Sequence, residues 1–308
     1  MSDKYYIYFN NWWNGFFTRV DGNNIGFFEK LLPFTKLKNF EITNDVNKGN
    51  VLIEAGKPTN NIINMKKWKL KINFIGEPVF PGYEKYDIIT NEHYNKYDIV
   101  LTSINNINNI VDLPVSIMYI LGNNFIPRLI TPRNIKQIPP YFCCFIVSNI
   151  RCEERNKMFH LLNNYKKVNS GGNYCNNIGN VIRYPWWSNE FLNFISQHKF
   201  MICFENTKME TYSTEKIVNT YLSQTIPIYW ASDNVKNIFN INSSTIFLEY
   251  ETEESFNNVV KQVIELDNND EKYLEFINRP IFNEHNKDFW NKNYTYKALG
   301  EKINKLIS

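Results

Sequence analysis

The sequence predicts an α/β fold with parallel sheets arranged in two domains, and three observations support this prediction. Short apolar segments typical of strands alternate along the 308 residues with segments of helical periodicity. Residues 142–148 form an almost continuous apolar run, as expected of a strand buried on both faces of a parallel sheet. A proline-rich stretch at 126–141 has the character of a linker. We therefore expect an N-terminal domain of residues 1–138 and a C-terminal domain of residues 139–308.

The first half of the chain contains short apolar runs separated by polar and turn-forming residues. These runs are rich in Val, Ile, Tyr and Phe, which favours strands. The predicted strands are residues 5–10, 51–55, 69–75 and 97–103. A helical segment at 27–32 lies between the first two, and strands separated by helices indicate a parallel sheet.

The second half repeats this alternation with longer helices. In residues 255–266 the apolar positions recur every three or four residues, as on one face of an amphipathic helix. Further helices are predicted at 153–165, 189–197, 214–223, 271–276 and 296–307, and further strands at 199–204 and 225–230. The last helix is a candidate to pack back on the first domain.

Composition and charge exclude several classes of protein. The 43% of hydrophobic and 16% of aromatic residues suffice for a packed core, which excludes general disorder. A formal net charge of +3 argues against a nucleic-acid binder. The chain shows no apolar run of 18 residues, no signal-peptide pattern, and five cysteines without metal-site or disulfide spacing. We expect a cytoplasmic protein with reduced thiols and no integral membrane segment.

The most informative segment is a predicted βαβ unit at residues 199–230. Its first strand ends at Glu205-Asn206, a polar loop follows, and the helix begins at Ser213 or Thr214, which are both favourable N-cap residues. Ligands in such folds bind beyond the carboxyl ends of the strands. The exposed N–H groups of a helix N-terminus also favour an anion there.

Two charged residues of this predicted helix suggest a phosphate ligand. Lys216 stands in the first turn, where acidic residues are usual, and a phosphate bound nearby would explain a cation at that position. Glu215 beside it could accept hydrogen bonds from sugar hydroxyls. The alternative is that both are ordinary surface residues of a first helical turn.

Further motifs occur in order along residues 5–240. They are Asn11-Trp12-Trp13, Phe74-Ile75-Gly76-Glu77, Phe145-Ile146-Val147-Ser148-Asn149 with Arg155, Ser170-Gly171-Gly172 with Asn176-Asn177-Ile178-Gly179, Cys203-Phe204-Glu205-Asn206-Thr207, Tyr212-Ser213-Thr214-Glu215-Lys216, and Ile226-Pro227-Ile228-Tyr229-Trp230. Together they resemble the signature of glycosyltransferase family 10, the α-1,3/1,4-fucosyltransferases. The sequence departs from that pattern at Pro78, Glu210-Thr211, Ser213 and Ala231.

The resemblance implies a fold, a reaction and a pair of substrates. The fold is GT-B, in which two Rossmann-like domains face each other across a cleft, with the acceptor bound by the first domain and the donor by the second. The reaction is an inverting transfer of L-fucose from GDP-β-L-fucose to a hydroxyl of a glycan, with O3 of GlcNAc expected. No cofactor is required, and a divalent cation would at most stimulate the reaction.

The donor site that the resemblance implies uses positive charge to hold the departing diphosphate. Arg155, one of only seven arginines, would clamp the phosphates with its planar guanidinium, and Lys216 would pair with further phosphate oxygens. The other implied donor contacts are Asn206 and Tyr212 to the diphosphate or fucose, Glu215 to the ribose, and Asn177. In a chain with 49 asparagines, Asn177 could instead be a turn residue.

The acceptor side needs a base for the proton of the attacking hydroxyl. Glu77 is the candidate, because it follows an apolar strand and Gly76 and so is expected at a strand end facing the cleft. A solvated loop glutamate is the alternative. Trp12 and Trp13 would form an aromatic platform for the acceptor sugar, or would pack in the core.

Two other functions fit the same residues. One is a GT-B glycosyltransferase that uses another nucleotide sugar, such as GDP-mannose, and thermal-shift screening with GDP and UDP sugars separates the two. The other is a non-catalytic carbohydrate-binding protein with the same fold, which would bind sugar without releasing GDP.

Overall fold

Two parallel sheets flanked by helices form the structure, a computed structural model that describes residues 4–18, 24–78, 94–104 and 108–307. This confirms the predicted α/β class. The chain divides into two units. Unit 1 consists of the described residues up to 124, of 209–212, and of those from 289 onward; unit 2 consists of 125–208 and 213–288. Residues 125–138, which the sequence analysis assigned to the first domain, therefore lie in unit 2.

The described residues form the following strands and helices, numbered in chain order. The strands are β1 (Tyr5–Asn10), β2 (Phe40–Thr43), β3 (Val51–Ala55), β4 (Leu70–Ile75), β5 (Ile99–Thr102), β6 (Ile110–Asp112), β7 (Tyr141–Phe145), β8 (Val168–Ser170), β9 (His198–Ile202), β10 (Ile226–Tyr229) and β11 (Ile246–Phe247). The α-helices are α1 (Gly26–Leu31), α2 (Asn60–Ile63), α3 (Val115–Gly122), α4 (Ile126–Ile130), α5 (Glu153–Tyr165), α6 (Asn189–Ser196), α7 (Glu215–Leu222), α8 (Val235–Ile238), α9 (Ile241–Ser244), α10 (Glu253–Asp267), α11 (Asp270–Ile277), α12 (Glu284–Asn293) and α13 (Tyr296–Leu306). Short 3-10 turns occupy Phe16–Thr18 and Leu32–Phe34.

Unit 1 is built on a sheet of six described strands in the order β2-β1-β3-β4-β5-β6, with every neighbouring pair parallel. All residues of β3 and β5 are buried, as expected of central strands covered on both faces. The C-terminal helix α13 belongs to this unit and packs against α1 and the 3-10 turn that follows it. Its apolar stripe, which includes Leu299 and Ile303, is buried there.

Unit 2 is built on a second parallel sheet, with described strands in the order β11-β10-β9-β7-β8. The inner residues of β7 and β9, such as Phe145 and Phe200, are fully buried in one continuous core. Helix α10 adds Phe256, Val259 and Val263 to this core, which are the apolar positions expected from its periodicity. The carboxyl ends of β7 and β9 lie side by side, because these strands are parallel neighbours.

The predicted elements with strong periodicity are confirmed. The elements that were not predicted lack a clear apolar pattern, each for its own physical reason. Strands β2, β6, β8 and β11 lie at or next to sheet edges and contain four residues or fewer, too short for a clear alternation. Helix α3 is apolar all round, so it has no amphipathic pattern to detect. Helix α12 is instead strongly polar. The predicted linker at 126–141 contains helix α4.

We expect the substitution Gly172→Ala to destabilise unit 2. An added Cβ would lie 1.9 Å from the backbone oxygen of Val147, and a backbone atom cannot shift without moving the strand end. Overpacking of this kind costs about 1–3 kcal/mol. The matched control is Gly122→Ala at the end of α3, where the nearest atom would be the Phe27 Cβ at 3.6 Å, an ordinary contact. Thermal unfolding checks both, and an unchanged Tm for Gly172→Ala would contradict the packing argument.

Candidate active site

The predicted βαβ unit is present as β9, α7 and β10. Thr214 is the N-cap of α7, has an extended backbone, and accepts a hydrogen bond at its side-chain oxygen from the backbone N–H of Lys216. This confirms the predicted helix start. The N-terminus of α7 therefore lies at the end of the loop that leaves the carboxyl end of β9, which is where ligands of parallel sheets bind.

A buried carboxylate, Glu205, organises this corner of unit 2. Its Oε1 accepts hydrogen bonds from the Thr214 backbone N–H at 2.8 Å and from the Tyr229 hydroxyl at 2.9 Å. Its Oε2 accepts from the Thr214 hydroxyl at 2.8 Å and from the Lys216 ammonium at 3.3 Å. Because burying a carboxylate is costly unless its oxygens are satisfied, these four bonds hold the start of α7 against β10.

Tyr229, the tyrosine of this cluster, is a hydrogen-bond donor. Burial, reinforced by the neighbouring Glu205 carboxylate, raises the pKa of Tyr229 well above its usual range. Its hydroxyl therefore retains its proton at physiological pH and can donate to Glu205. The sequence motif that contains Glu205 did not predict its role. The available signal for a buried functional carboxylate was its position directly after an apolar strand.

Arg155 and Asn206, two of the predicted donor residues, are in direct contact. Arg155 is the third residue of α5, is only 1% exposed, and donates from Nη1 to Oδ1 of Asn206 at 2.9 Å. Its Nη2 donates to the backbone oxygen of Asn149 at 2.6 Å. The guanidinium is thus fixed in direction between residues that follow β7 and β9.

A cavity of about 210 Å³ lies in the same region of unit 2. Its lining includes Ile146 and Val147 after β7, Phe204 after β9, and Glu215 and Lys216 at the start of α7. The Lys216 side chain is 24% exposed, so its ammonium contacts Glu205 and still reaches solvent. The cavity is largely apolar with a cation and a carboxylate at one wall, which suits a ligand with both apolar and charged parts.

Asn177 and Tyr212, two other predicted donor residues, have surroundings unlike those of Arg155 and Lys216. The amide of Asn177 accepts from the backbone N–H of Ser170 at 2.9 Å and donates to the backbone oxygen of Val168 at 2.8 Å. These contacts hold the turn beside β8, in agreement with the alternative interpretation of this residue. Tyr212 is buried and lies in unit 1, whereas the other predicted donor residues lie in unit 2.

Glu77 lies in unit 1, directly after β4, and is half-buried. Gly76 precedes it at a close approach to α3, since an added Cβ would lie 2.9 Å from the Val115 Cγ2. The carboxyl end of the neighbouring strand β3 carries a second carboxylate, Glu54, which is fully buried and accepts hydrogen bonds from Tyr97 and Asn10. Of the two carboxylates, Glu77 is therefore the one with access to solvent.

The two tryptophans near the start differ in their surroundings. Trp12 stacks on Phe16, with ring centroids 4.0 Å apart, and on Phe74 at 5.5 Å, and its indole N–H donates to the backbone oxygen of Ile53. These contacts hold one face of Trp12 against the core, although the residue stays partly exposed. Trp13 packs edge-on against Trp12 at 5.1 Å and is also partly exposed.

The described ranges contain no group of three or more His, Cys, Asp or Glu residues that could hold a metal ion. No helix in the same part of the chain is long and apolar enough to cross a membrane. Among the predicted donor residues, Arg155 and Lys216 carry positive charge, and Lys216 lines the cavity.

Two parallel sheets flanked by helices, with a cavity beyond the strand ends of one of them, have the architecture of many ligand-binding α/β proteins, and sequence comparison identifies the family. Residues 140–307 match the family model described as glycosyltransferase family 10 (fucosyltransferase), C-terminal part. This is more than half of the chain, which therefore belongs to glycosyltransferase family 10.

Individual relatives agree with this assignment over parts of their length. The chain is 33% identical over 159 residues to an α-(1,3)-fucosyltransferase of Helicobacter pylori, a match to 51% of this chain and 31% of that protein. It is 32% identical over 89 residues to a GDP-fucose protein O-fucosyltransferase of Xenopus tropicalis, a match to 29% of this chain and 18% of that protein. The matches thus span less than a third of each relative.

The fold has solved counterparts. A crystal structure of an α1,3-fucosyltransferase with GDP-fucose aligns with a TM-score of 0.68 and 19% identity, covering 100% of this chain and 92% of the other. At this level of identity the likeness concerns the fold. It agrees with the GT-B expectation for two parallel-sheet domains.

We expect Glu205→Gln to lower the stability of unit 2 without changing side-chain volume. The amide N–H₂ would face hydrogen-bond donors in place of a carboxylate oxygen, and a buried donor left unsatisfied costs about 1–3 kcal/mol. The control is Glu254→Gln on the exposed face of α10, which should change stability by less than about 0.5 kcal/mol. Thermal unfolding compares the two, and equal Tm values would refute the organising role of Glu205.

Proposed function

We propose that this chain is an inverting fucosyltransferase that moves L-fucose from GDP-β-L-fucose to a hydroxyl of a glycan acceptor. The observation that carries the proposal is the position of two cationic side chains near the carboxyl ends of β7 and β9. Asn149 and Asn206 hold Arg155 there, and Lys216 lines a cavity. Family membership supports fucose as the sugar and GDP as its carrier. The H. pylori relative, named as an α-(1,3)-fucosyltransferase, supports O3 of GlcNAc as the acceptor atom.

The donor side of the reaction needs positive charge where the diphosphate departs. As the bond between fucose C1 and the β-phosphate oxygen breaks, negative charge builds on the phosphates, and donors already oriented stabilise it most. Arg155 meets this requirement because Asn206 and Asn149 hold its guanidinium in place. The Lys216 side chain is partly exposed, which supports contact between its ammonium and a bound phosphate. Glu215 lies on the cavity wall, which supports its proposed role of accepting hydrogen bonds from the ribose hydroxyls.

The acceptor side needs a base. The acceptor oxygen attacks fucose C1 from the face opposite the phosphate, its proton passes to a carboxylate, and GDP leaves, so that the configuration at C1 is inverted. We assign Glu77 as this base, because it follows β4 and has access to solvent. Nearby Glu54 is instead buried and already accepts a hydrogen bond. Trp12 and Trp13 are both partly exposed and pack edge to face, which supports their proposed role as an aromatic platform for the acceptor sugar.

We further propose that the enzyme works in the cytoplasm and does not require a divalent cation. The cysteines Cys143, Cys144, Cys152, Cys175 and Cys203 are free, which supports a reducing cytoplasmic setting. Charge for the leaving group comes from protein side chains, so a divalent cation would at most stimulate the reaction. The function is glycan or protein glycosylation, with no nucleic-acid partner.

A GDP-release assay with GDP-fucose and a small panel of GlcNAc-containing acceptors tests the function. We expect acceptor-dependent GDP release, with transferred fucose detected by mass spectrometry. Release with GDP-mannose and none with GDP-fucose would assign another donor. Sugar binding without release from either donor would indicate a carbohydrate-binding protein.

Glu77→Ala is expected to reduce transfer by about 10²–10⁴-fold, which is the usual contribution of a positioned general base. GDP-fucose affinity, measured by calorimetry, should stay near that of the wild type because Glu77 acts on the acceptor. As a control, Glu41→Gln removes a carboxylate of β2 that pairs with Lys4 and Lys48 at the surface, and should retain full activity. Substantial transfer by Glu77→Ala would remove the base assignment.

Arg155→Ala and Lys216→Ala are each expected to weaken GDP-fucose binding about 10- to 100-fold, because a hydrogen bond to a charged group contributes about 1.5–3 kcal/mol. The control is Lys236→Ala, whose side chain is 27% exposed and pairs with Asp233 and Glu249, so it matches Lys216 in exposure and in having acidic partners. Calorimetric Kd values decide. Normal affinity in both site variants would rule out the phosphate clamp.

A further inference from the structure

The cavity of unit 2 has a hydrophobic part to which the proposed reaction assigns no role. Every residue that lines the cavity belongs to unit 2, and its polar residues are Glu215, Lys216 and Asn219. The rest of the lining is hydrophobic. At about 210 Å³ the cavity is smaller than the roughly 300–1,000 Å³ of pockets that enclose a whole drug-sized ligand. It therefore fits one part of a nucleotide sugar.

The polar residues of the cavity follow one another along helix α7. Glu215 and Lys216 lie in its first turn, and Asn219 lies one turn further along the helix. Glu215 and Asn219 are four residues apart, which places them on the same helix face. With a diphosphate at Lys216 and the ribose at Glu215, as proposed above, the hydrophobic part remains for the group on the other side of the ribose. That group is the nucleobase.

Three aromatic residues line the cavity, namely Trp186, Phe191 and Phe204. Both phenylalanines are buried, and Phe204 is stacked on Trp230 with ring centroids 6.0 Å apart. Trp186 is partly exposed. Of the three aromatic residues, Trp186 therefore has the most surface left for a ligand.

Trp186 is held in place from two sides. It lies in a turn directly before α6, which is closed by a hydrogen bond from the Ser188 N–H to the Pro185 backbone oxygen at 2.8 Å. Asn219, which is 1% exposed, donates from its side-chain amide to the Trp186 backbone oxygen at 2.8 Å. The turn is thus tied to α7 at the cavity, and the backbone of Trp186 is fixed before any ligand binds.

We infer that Trp186 is a donor-binding residue whose indole stacks on the guanine base of the nucleotide sugar. The inference rests on the proposed function, which supplies GDP as the carrier of the sugar. A base presents a flat π-face that stacks on an aromatic ring, and the indole of tryptophan offers the largest such ring in proteins. Because the turn and Asn219 already fix Trp186, little conformational freedom is lost on binding.

Two alternatives predict different results. If the cavity takes the fucose, truncation of Trp186 weakens binding of GDP-fucose and leaves that of GDP unchanged. If Trp186 only stabilises unit 2, its fluorescence does not respond to a bound base.

Binding measurements on two variants of the full chain, Trp186→Ala and Trp186→Phe, test the inference. Calorimetry gives the Kd of GDP and of GDP-fucose, and Tm is recorded for each variant. We expect Trp186→Ala to raise both Kd values by the same factor, about 5- to 150-fold, the usual loss when an aromatic residue that stacks on a base is truncated. Trp186→Phe keeps an aromatic face and should retain most of the affinity.

The control for binding is Tyr184→Ala. Tyr184 is an exposed aromatic residue two positions before Trp186 and does not line the cavity, so this variant should bind GDP as the wild type does.

Tryptophan fluorescence reports on direct stacking. GDP should quench the fluorescence of the wild type, because a stacked base contacts the indole. Trp186→Phe should bind GDP and lose this quenching. The matched control is Trp187→Phe, which removes the neighbouring, partly exposed tryptophan that does not line the cavity, and should keep the quenching.

Each result supports or overturns the inference. An unchanged GDP Kd in Trp186→Ala, or full quenching in Trp186→Phe, overturns the stacking and leaves the proposed function standing. A loss of affinity confined to GDP-fucose assigns the cavity to the sugar and also overturns it. If Trp186→Ala does not fold, the quenching in Trp186→Phe decides. A wild-type chain that neither binds GDP-fucose nor releases GDP overturns the proposed function as well.

Discussion

The structure of the candidate donor site depends on the burial of one carboxylate. Glu205 is fully removed from water, so each of its oxygens must receive hydrogen bonds, and the donors come from the N-cap of α7, from Lys216 and from Tyr229 of β10. Any displacement of α7 against β10 would break several of these bonds together. The position of Lys216, which the proposed reaction uses, is therefore a consequence of satisfying Glu205, and the same interaction explains a lysine in the first turn of a helix.

A second buried carboxylate acts at the other side of the same loop. Glu205 holds Thr214 in unit 2, and Asp112 holds Thr211 in unit 1, in both cases through hydrogen bonds from a threonine to a carboxylate at or just beyond the carboxyl end of a parallel strand. Between them stands Tyr212, a residue with a proposed role at the donor. The near-neutral charge of the chain fits this local design, since the cationic side chains of the site are fixed individually by neighbours rather than embedded in a basic surface.

Much of the fold followed from periodicity, because a strand or helix that buries one face must repeat apolar residues at a set spacing. Helix α5 and the strands of the βαβ unit were predicted in this way, and α10 was found to within two residues. Elements without distinct apolar and polar faces were not predicted. Helix α3 is apolar throughout, and the edge strands are only two to four residues long. For the site, residue type and the family resemblance predict Arg155, Asn206 and Lys216 as donor contacts. The role of Glu205 could not be derived from the sequence, because two of its hydrogen-bond donors come from residues 9 and 24 positions away.

The sequence by itself determined the α/β class, the order of the motifs and, through them, the family. It did so because alternating strand and helix patterns and the spacing of charged residues after strands are local properties of the chain. Only the tertiary structure decided which side chains meet: that Arg155 contacts Asn206, that Asn177 serves a turn, that Trp12 stacks on Phe16, and that Asp112 accepts hydrogen bonds from Thr211 and Tyr294. These pairings depend on burial and on the satisfaction of buried polar atoms across as many as 182 positions of sequence, and no local pattern records them.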